Sequence, residues 1–519
     1  MAVVLPSALR PGWRGLLLVA GVALVGAVSF QGSRGLYETT EGRYAECARE
    51  TMASGDYLDP ILNGQPHWTK PPLTYVAIMA GLRTFGHSPW GVRAYLVAAM
   101  VLAAGAIWWT GTSIWGPKAG LWAGLVFATS PVMAGTAHVV SADMLTVLWV
   151  ALAVAAFWHG HARRSPVSLL AMWLFLGLGF MTKGPPALLV PAASLPVAAV
   201  LLRRDGAERP PSWLSWAGLG LFLLVGGLWY VEEAAHTPGL LAYWLGDELV
   251  GRNVSGEFHR NPGFRYVFTA YLPLLLLGTG PWLPLVLRRG RPLKEWGRTA
   301  TDPAGATPAA RLSLWAGVAI PFAVFALSRS KMPLYLAPLF VPLSLVVGRR
   351  LDVLIAQGRV PARTAVLWAG LLLALIVAGK GIKAQAEARQ DMTRLAAALA
   401  PVLERDGHPP LYTATGRPLN GLEFHLDRRI ESVPPRDLFA HMEERIRAGE
   451  APRYVVAKLR WEQAAGAAAG EMPQVSLGPH WLLLAPPRLG GNRPDDRWLP
   501  RARKYRDRPL PTNSKKAAK

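Results

Sequence analysis

The sequence predicts an α-helical polytopic membrane protein of about 11–13 spans, with surface helices in its first outer loop and a small C-terminal α/β soluble domain. Three observations carry that prediction. Apolar runs of bilayer-crossing length recur as far as residue 380. Of 519 residues, 51% are apolar and only 17% are charged, too greasy a balance for an ordinary soluble enzyme. Beyond residue 388 the pattern changes to one amphipathic helix and short alternating apolar runs.

Arg10 and Arg14 precede the apolar run Gly15 to Phe30, and no small-x-small cleavage site follows. This reads as an uncleaved first span. Basic residues then recur in short loops: Arg163 and Arg164; Arg203 and Arg204; Arg288, Arg289 and Arg291; Arg349 and Arg350. The positive-inside rule places all four loops in the cytoplasm with the N-terminus. Spans consistent with that rule cover 14–31, 92–110, 118–134, 144–160, 167–181, 186–202, 213–231, 268–287, 311–328, 333–348 and 363–380. The loops near Asp143, Lys183 and Lys331 then face outward. Apolar piece 73–86 does not fit as a further crossing, since it would place every later arginine pair outside. It is also short, and reads as a helix at or dipping into the outer surface, a crossing being the alternative.

Within this order, residues 1–387 form the membrane domain, with a first outer loop at 32–91. Residues 43–53 have the spacing of a short surface helix, Tyr44, Ala48, Thr51 and Met52 recurring on one face. A second long outer loop covers 232–267. Residues 388–490 read as an α/β domain on the outer side, with a helix at Met392–Arg405 and strands at Leu411–Ala414, Arg453–Ala457 and Trp481–Leu484. Residues 491–519 form a basic tail expected to be disordered. The formal charge of +22 lies in short loops and this tail, so nucleic acid is rejected as a partner. The lone Cys47 excludes an intrachain disulfide and a cysteine-rich metal site.

The most informative segment is Tyr37 to Pro72, where Glu38, Glu41, Arg43, Lys70 and two prolines are concentrated beside lipid, at a cost that binding or chemistry would explain. Its string EGRYAE…SGD…P.LNG.P…KPPL.Y closely resembles the first outer loop of the bacterial aminoarabinose transferase and protein O-mannosyltransferase superfamily. These are polytopic C-type glycosyltransferases that use polyprenyl-phosphate-linked sugars. Ser141 to Leu145 resembles the family's second acidic loop, Thr182 to Pro185 its Lys-Gly turn, and Lys331 to Pro338 its late tyrosine motif. There is one departure. The family has Asp-Glu at the start of the first motif; here Thr40 precedes Glu41. The acidic role has passed to Glu38, is carried by Glu41, or is absent.

The resemblance implies a glycosyltransferase that moves a hexose or pentose from a polyprenyl-phosphate donor to a lipid A-like acceptor at the periplasmic face of the bacterial inner membrane. The alternatives are transfer to protein Ser or Thr, a transporter or flippase of lipid-linked sugars, and a non-catalytic scaffold. No duplicated half is visible, and polar residues gather on outer loops, which disfavours a transporter. The chemistry needs cations for the phosphate: Arg43, Lys70, Lys183, and Arg260 or Arg265 on the long loop. Tyr44 accompanies Arg43 as substrate-binding, and Tyr335 is placed to hydrogen-bond sugar or phosphate. Glu38, Glu41 or Asp143 would take a proton from an acceptor hydroxyl or steer it. Blander readings stand beside these: loop carboxylates solvating a surface, Asp143 capping a helix, Lys183 and Lys331 snorkelling, Tyr335 packing, His138 and His259 structural. The sequence establishes no cofactor; a divalent metal on Glu257, His259 and a first-loop carboxylate is the one candidate. Membrane lipids complete the expected partners.

Overall fold

The computed structural model describes residues 12–204, 212–255, 261, 263–287, 307–386, 388–465 and 474–485. The chain divides into two compact units. The first comprises Met1–Gly32, Asp56–Pro60 and Pro66–Gln385; the second comprises Ser33–Gly55, Ile61–Gln65 and Ala386–Lys519.

The first unit is helical. Every expected span has a helix, and eight helices among the described residues are long and apolar enough to cross a bilayer. Several spans are interrupted where proline removes a backbone donor, and two show it plainly. The expected 118–134 span is Pro117–Ala128 followed by Pro131–Thr136, with Ser130 capping the second piece. The expected 333–348 span begins as a 3-10 turn, Pro333–Leu339, before helix Phe340–Ala356. The apolar piece after the first loop is helix Leu73–Phe85, whose 13 residues span about 20 Å against a hydrocarbon core of about 30 Å. A tight turn folds it back on helix Pro89–Trp115. Helix contacts rely on small residues, as expected where lipid supplies no hydrophobic drive between helices. Gly348 lies so close to Ala123 that a Cβ there would overlap the Ala123 backbone.

The second unit is a five-stranded mixed sheet with helices on both faces. We number its strands β1 (Leu411–Thr413), β2 (Glu431–Ser432), β3 (Arg453–Ala457), β4 (Gln474–Ser476) and β5 (Trp481–Leu484). Their order is β2-β1-β3-β5-β4; β1 runs parallel to β2 and β3, while β5 is antiparallel to β3 and β4. Side chains alternate between faces along β3. Tyr454 and Val456 join Leu438, Phe439 and Met442 in one cluster; Val455 and Ala457 join Met392, Leu395 and Leu399 in the other. The sequence marked β1, β3, β5 and helix Met392–Arg405. It did not mark β2 and β4, which are two- and three-residue edge strands with no apolar alternation.

The first-loop helix belongs to this second unit, although its position in the chain suggested the membrane part. It runs Thr40–Ser54, starting three residues before the periodicity predicted. Leu36 and Glu38 exchange backbone hydrogen bonds with Met392 and Gln390. The helix then meets helix Asn420–Leu426 through Gly42 and Gly421, where a Cβ on Gly42 would strike the Gly421 backbone.

Gly348→Val is expected to overpack the first unit and to cost about 1–3 kcal/mol. Thermal unfolding of the purified protein should show a clear drop against Gly379→Ala, at a position where a Cβ meets nothing within 4 Å. Equal midpoints for the two variants would show that the Gly348 contact is not needed.

Candidate functional site

Helix Asp143–Arg163 (21 residues) and helix Pro166–Lys183 (18 residues) form an antiparallel hairpin. Its turn is set by Arg164 in the left-handed region (φ 51°), by Ser165, whose hydroxyl accepts the Ser168 N–H at 3.3 Å, and by Pro166 at the first helical position. At 1.5 Å per residue the arms are about 31 and 27 Å long, so the start of one returns beside the end of the other. Asp143 and Lys183 therefore meet as an ion pair, each side chain only 11% exposed. The carboxylate sits at the positive end of its helix and the ammonium at the negative end of its own. One turn inward, Trp149 donates to the Thr182 hydroxyl at 2.9 Å and ties the arms together.

Asp143 is the first helical residue rather than the cap. Its carboxylate accepts the Ser141 hydroxyl at 2.8 Å, and Tyr95 donates to the Ser141 carbonyl at 2.8 Å. The Lys183 ammonium also lies 5.1 Å from the centre of the Tyr335 ring, a cation–π distance. Tyr335 comes from the 3-10 turn at Pro333–Leu339, and its ring packs at a tilt on Phe325 at 5.7 Å. Lys331 is not a snorkelling residue: it is 3% exposed and donates to the Ser328 carbonyl at 2.5 Å.

Lys70 stands 3.9 Å from Glu248, so the Lys-Pro-Pro turn is held by the long loop. Trp244 donates to the Trp68 carbonyl at 3.0 Å and packs against Trp229 (5.6 Å) and Tyr230 (5.0 Å). Tyr230 in turn touches Phe180 at 5.1 Å. These rings connect the Lys70 turn with the helix that ends in Lys183. Arg265 is exposed on the surface of the first unit. Arg260, Glu257, His259, the Arg288–Arg291 loop and the 491–519 tail lie outside the described residues. His138 is buried and bonds to the Gln31 carboxamide at 2.5 Å, a structural histidine.

In the second unit the first-loop carboxylates have structural partners. Glu41, 2% exposed, takes both guanidinium nitrogens of Arg34 at 2.6 Å each and the Tyr37 N–H at 3.0 Å. The Arg34 guanidinium also lies over the Tyr37 ring at 4.2 Å. Glu46, fully buried, is forked by Arg49, which reaches on to Asp427 at 2.8 Å. Glu38 accepts the Gly421 N–H, and its Oε2 is buried without a hydrogen-bond partner among the described residues. Burial pushes the Glu38 carboxyl up to about 7; nearby Glu423 adds to this, while the Gly421 N–H, Arg417 and Arg43 oppose it. Tyr44 is buried, and Arg43 is half-buried with no ion pair among the described residues. Thr40, at the position of the family aspartate, is exposed. Arg34, Tyr95, Glu248 and Glu423 were missed by sequence reasoning. They carry no periodic signal, and their partners lie at sequence distances only the fold brings together. Among the described residues, no three His, Cys, Asp or Glu side chains are grouped to hold a metal.

The family described as dolichyl-phosphate-mannose-protein mannosyltransferase matches residues 69–231. The undecaprenyl phosphate-alpha-4-amino-4-deoxy-L-arabinose arabinosyl transferase of Edwardsiella ictaluri is 31% identical over 320 residues, covering 60% of this chain and 55% of its own. A second such transferase, from Sodalis glossinidius, is 30% identical over 350 residues, covering 66% and 60%. The chain is similar to these transferases over the aligned residues. It spans little more than half the length of these curated relatives. A likeness of fold extends over nearly the whole chain. The crystal structure of ArnT from Cupriavidus metallidurans bound to undecaprenyl phosphate superposes with a TM-score of 0.72 at 20% identity, covering 93% of this chain and 99% of that one. With eight helices long and apolar enough to cross a bilayer among the described residues, and with this fold, the protein is a multi-pass membrane protein.

A raised carboxyl pKa means that the folded state holds its proton more tightly than the unfolded one between pH 4.5 and about 7. Stability from Glu38 therefore falls as pH rises through that window. Glu38→Gln should raise the unfolding midpoint above wild type at pH 8, with the gain shrinking toward pH 5. Unfolding scans across pH read this directly, and a gain that grows toward low pH would contradict it.

Proposed function

We propose that the protein is a glycosyltransferase that moves a sugar from a polyprenyl-phosphate donor to a lipid A-like acceptor. It acts at the periplasmic face of the bacterial inner membrane, with the N-terminus cytoplasmic and the C-terminal α/β unit periplasmic. The observation that carries this reading is the buried Asp143–Lys183 pair with Tyr335 at one end of the helical unit. It occurs in a chain whose curated relatives are named for undecaprenyl phosphate-linked aminoarabinose transfer. Those names favour a pentose, and favour transfer over transport.

The chemistry follows from the side chains. An acceptor oxygen bonds to the anomeric carbon as the bond from that carbon to the phosphate oxygen breaks. The polyprenyl phosphate departs with the electron pair. Lys183, in a site shielded from water, takes the developing negative charge, with Lys70 as a second point charge. Asp143 holds Lys183 until the donor phosphate competes for it. If the acceptor is a hydroxyl, its proton passes to Asp143; if it is an ionised phosphate, no base is needed. The latter suits a chain with Thr40 where relatives carry a carboxylate. Tyr335 contacts sugar or phosphate. In the first-loop helix, Glu41 positions the loop through Arg34, Tyr44 is a packing residue of that helix, and Arg43 is phosphate-binding on its chemistry. Arg265 is a solvent-facing contact for anionic lipid.

Purified protein given a short-chain polyprenyl-phosphate sugar and lipid acceptor should release polyprenyl phosphate. Lys183→Ala should lower that rate about 10²–10³-fold, and Lys70→Ala and Arg43→Ala should also lower it, without loss of fold. Full activity in Lys183→Ala would remove the proposed site.

A further inference from the structure

A second cationic site lies at the other end of the helical unit. Trp115, Arg311, Leu314, Val346, Arg349 and Arg350 line a small, partly open cleft. Its three guanidinium groups come from two helices, Thr307–Leu327 and Phe340–Ala356. Asp352 supplies one carboxylate, which pairs with Arg349 at 2.9 Å and also feels Lys118. Arg311, half-buried, makes no ion pair among the described residues. Arg349 lies 5.7 Å from the Trp115 ring, so an aromatic wall adjoins the charges. The Trp115 indole N–H is itself buried without a hydrogen-bond partner among the described residues. The lining therefore offers donors and positive charge to an anion, with apolar surface beside them. Withdrawing such groups from water is costly unless an acceptor meets them.

The position of this cleft is fixed by packing. Ile114, Ala309 and Ala310, which adjoin Trp115 and Arg311, share an apolar cluster with Phe157 and Trp158. Those residues lie 14 and 15 positions beyond Asp143 on one helix. At 1.5 Å per residue, that is about 21 Å from the Asp143–Lys183 pair. The cleft is therefore separate from the proposed transfer site.

We propose that this cleft binds a phosphate group, presented by an anionic lipid headgroup at the membrane surface opposite the transfer site. Guanidinium forks match phosphate oxygens. Leu314, Val346 and Trp115 provide apolar wall for the glycerol and upper acyl carbons. Basic pockets between membrane helices commonly hold such headgroups.

The test uses the full-length protein in phosphatidylcholine nanodiscs, with and without phosphatidylglycerol. Phosphatidylglycerol should protect Arg311 and Arg349 from phenylglyoxal, read by peptide mass spectrometry. Pure phosphatidylcholine should not. Native mass spectrometry should show one retained phosphatidylglycerol, held about tenfold or more weakly in the Arg311→Gln, Arg349→Gln double variant. Protection by inorganic phosphate without any effect of phosphatidylglycerol overturns the lipid assignment and leaves a site for free phosphate. Equal labelling in every condition, or equal protection by phosphatidylcholine, overturns the proposal altogether. Because labelling is read on the wild-type chain, a double variant that fails to fold does not blunt the test.

Discussion

The membrane unit is organised around one buried ion pair. Asp143 and Lys183 come from the two ends of a helical hairpin, and each charge offsets part of the cost of burying the other. Helix dipoles favour both positions, and the Trp149–Thr182 bond keeps the arms in register. Around the pair, Tyr95 and Ser141 orient the carboxylate, while Tyr335 offers a ring to the ammonium. Replacing such a pair by apolar residues often costs little stability, so its presence speaks for use rather than for folding alone. A lysine released by an arriving phosphate is what such use requires.

The second unit treats charge differently. Glu41 is occupied by Arg34, and Glu46 by Arg49, so the polar density that drew attention to the first loop is largely internal structure. The helix is anchored by backbone pairing at 36–38 and by the contact of two glycines. Glu38 stands apart, buried with one oxygen lacking a hydrogen-bond partner among the described residues and a carboxyl titrating near neutrality. Thr40 remains exposed, whereas Glu38 and Glu41 on either side of it are buried.

Much of the fold was legible in the chain. Spans followed from apolar length, and the central strands and helix Met392–Arg405 from their periodicity. The breaks at Pro131 and Pro338 were legible in principle, since proline cannot donate, but a hydropathy window averages over them. Edge strands of two or three residues lie below the length at which alternation can be read. Of the candidate site residues, Asp143, Lys183 and Tyr335 were both flagged and brought together. The meaning of Glu41 was not readable, because Arg34 is seven positions away and carries no helical register with it.

By itself the sequence determined which segments must satisfy their backbone internally and bury apolar area. That is why the helical membrane unit, the basic loops and the resemblance to lipid-phosphate transferases could all be read from it. Tertiary structure alone decided which charges meet which partners. It placed the first-loop helix in the α/β unit, gave Glu41 to Arg34, and gathered Arg311, Arg349 and Arg350 in one cleft. The reason is physical: hydrophobic burial is a property of local composition, whereas the fate of a charge depends on which distant residue, far along the chain or on another helix, arrives within a few ångströms of it.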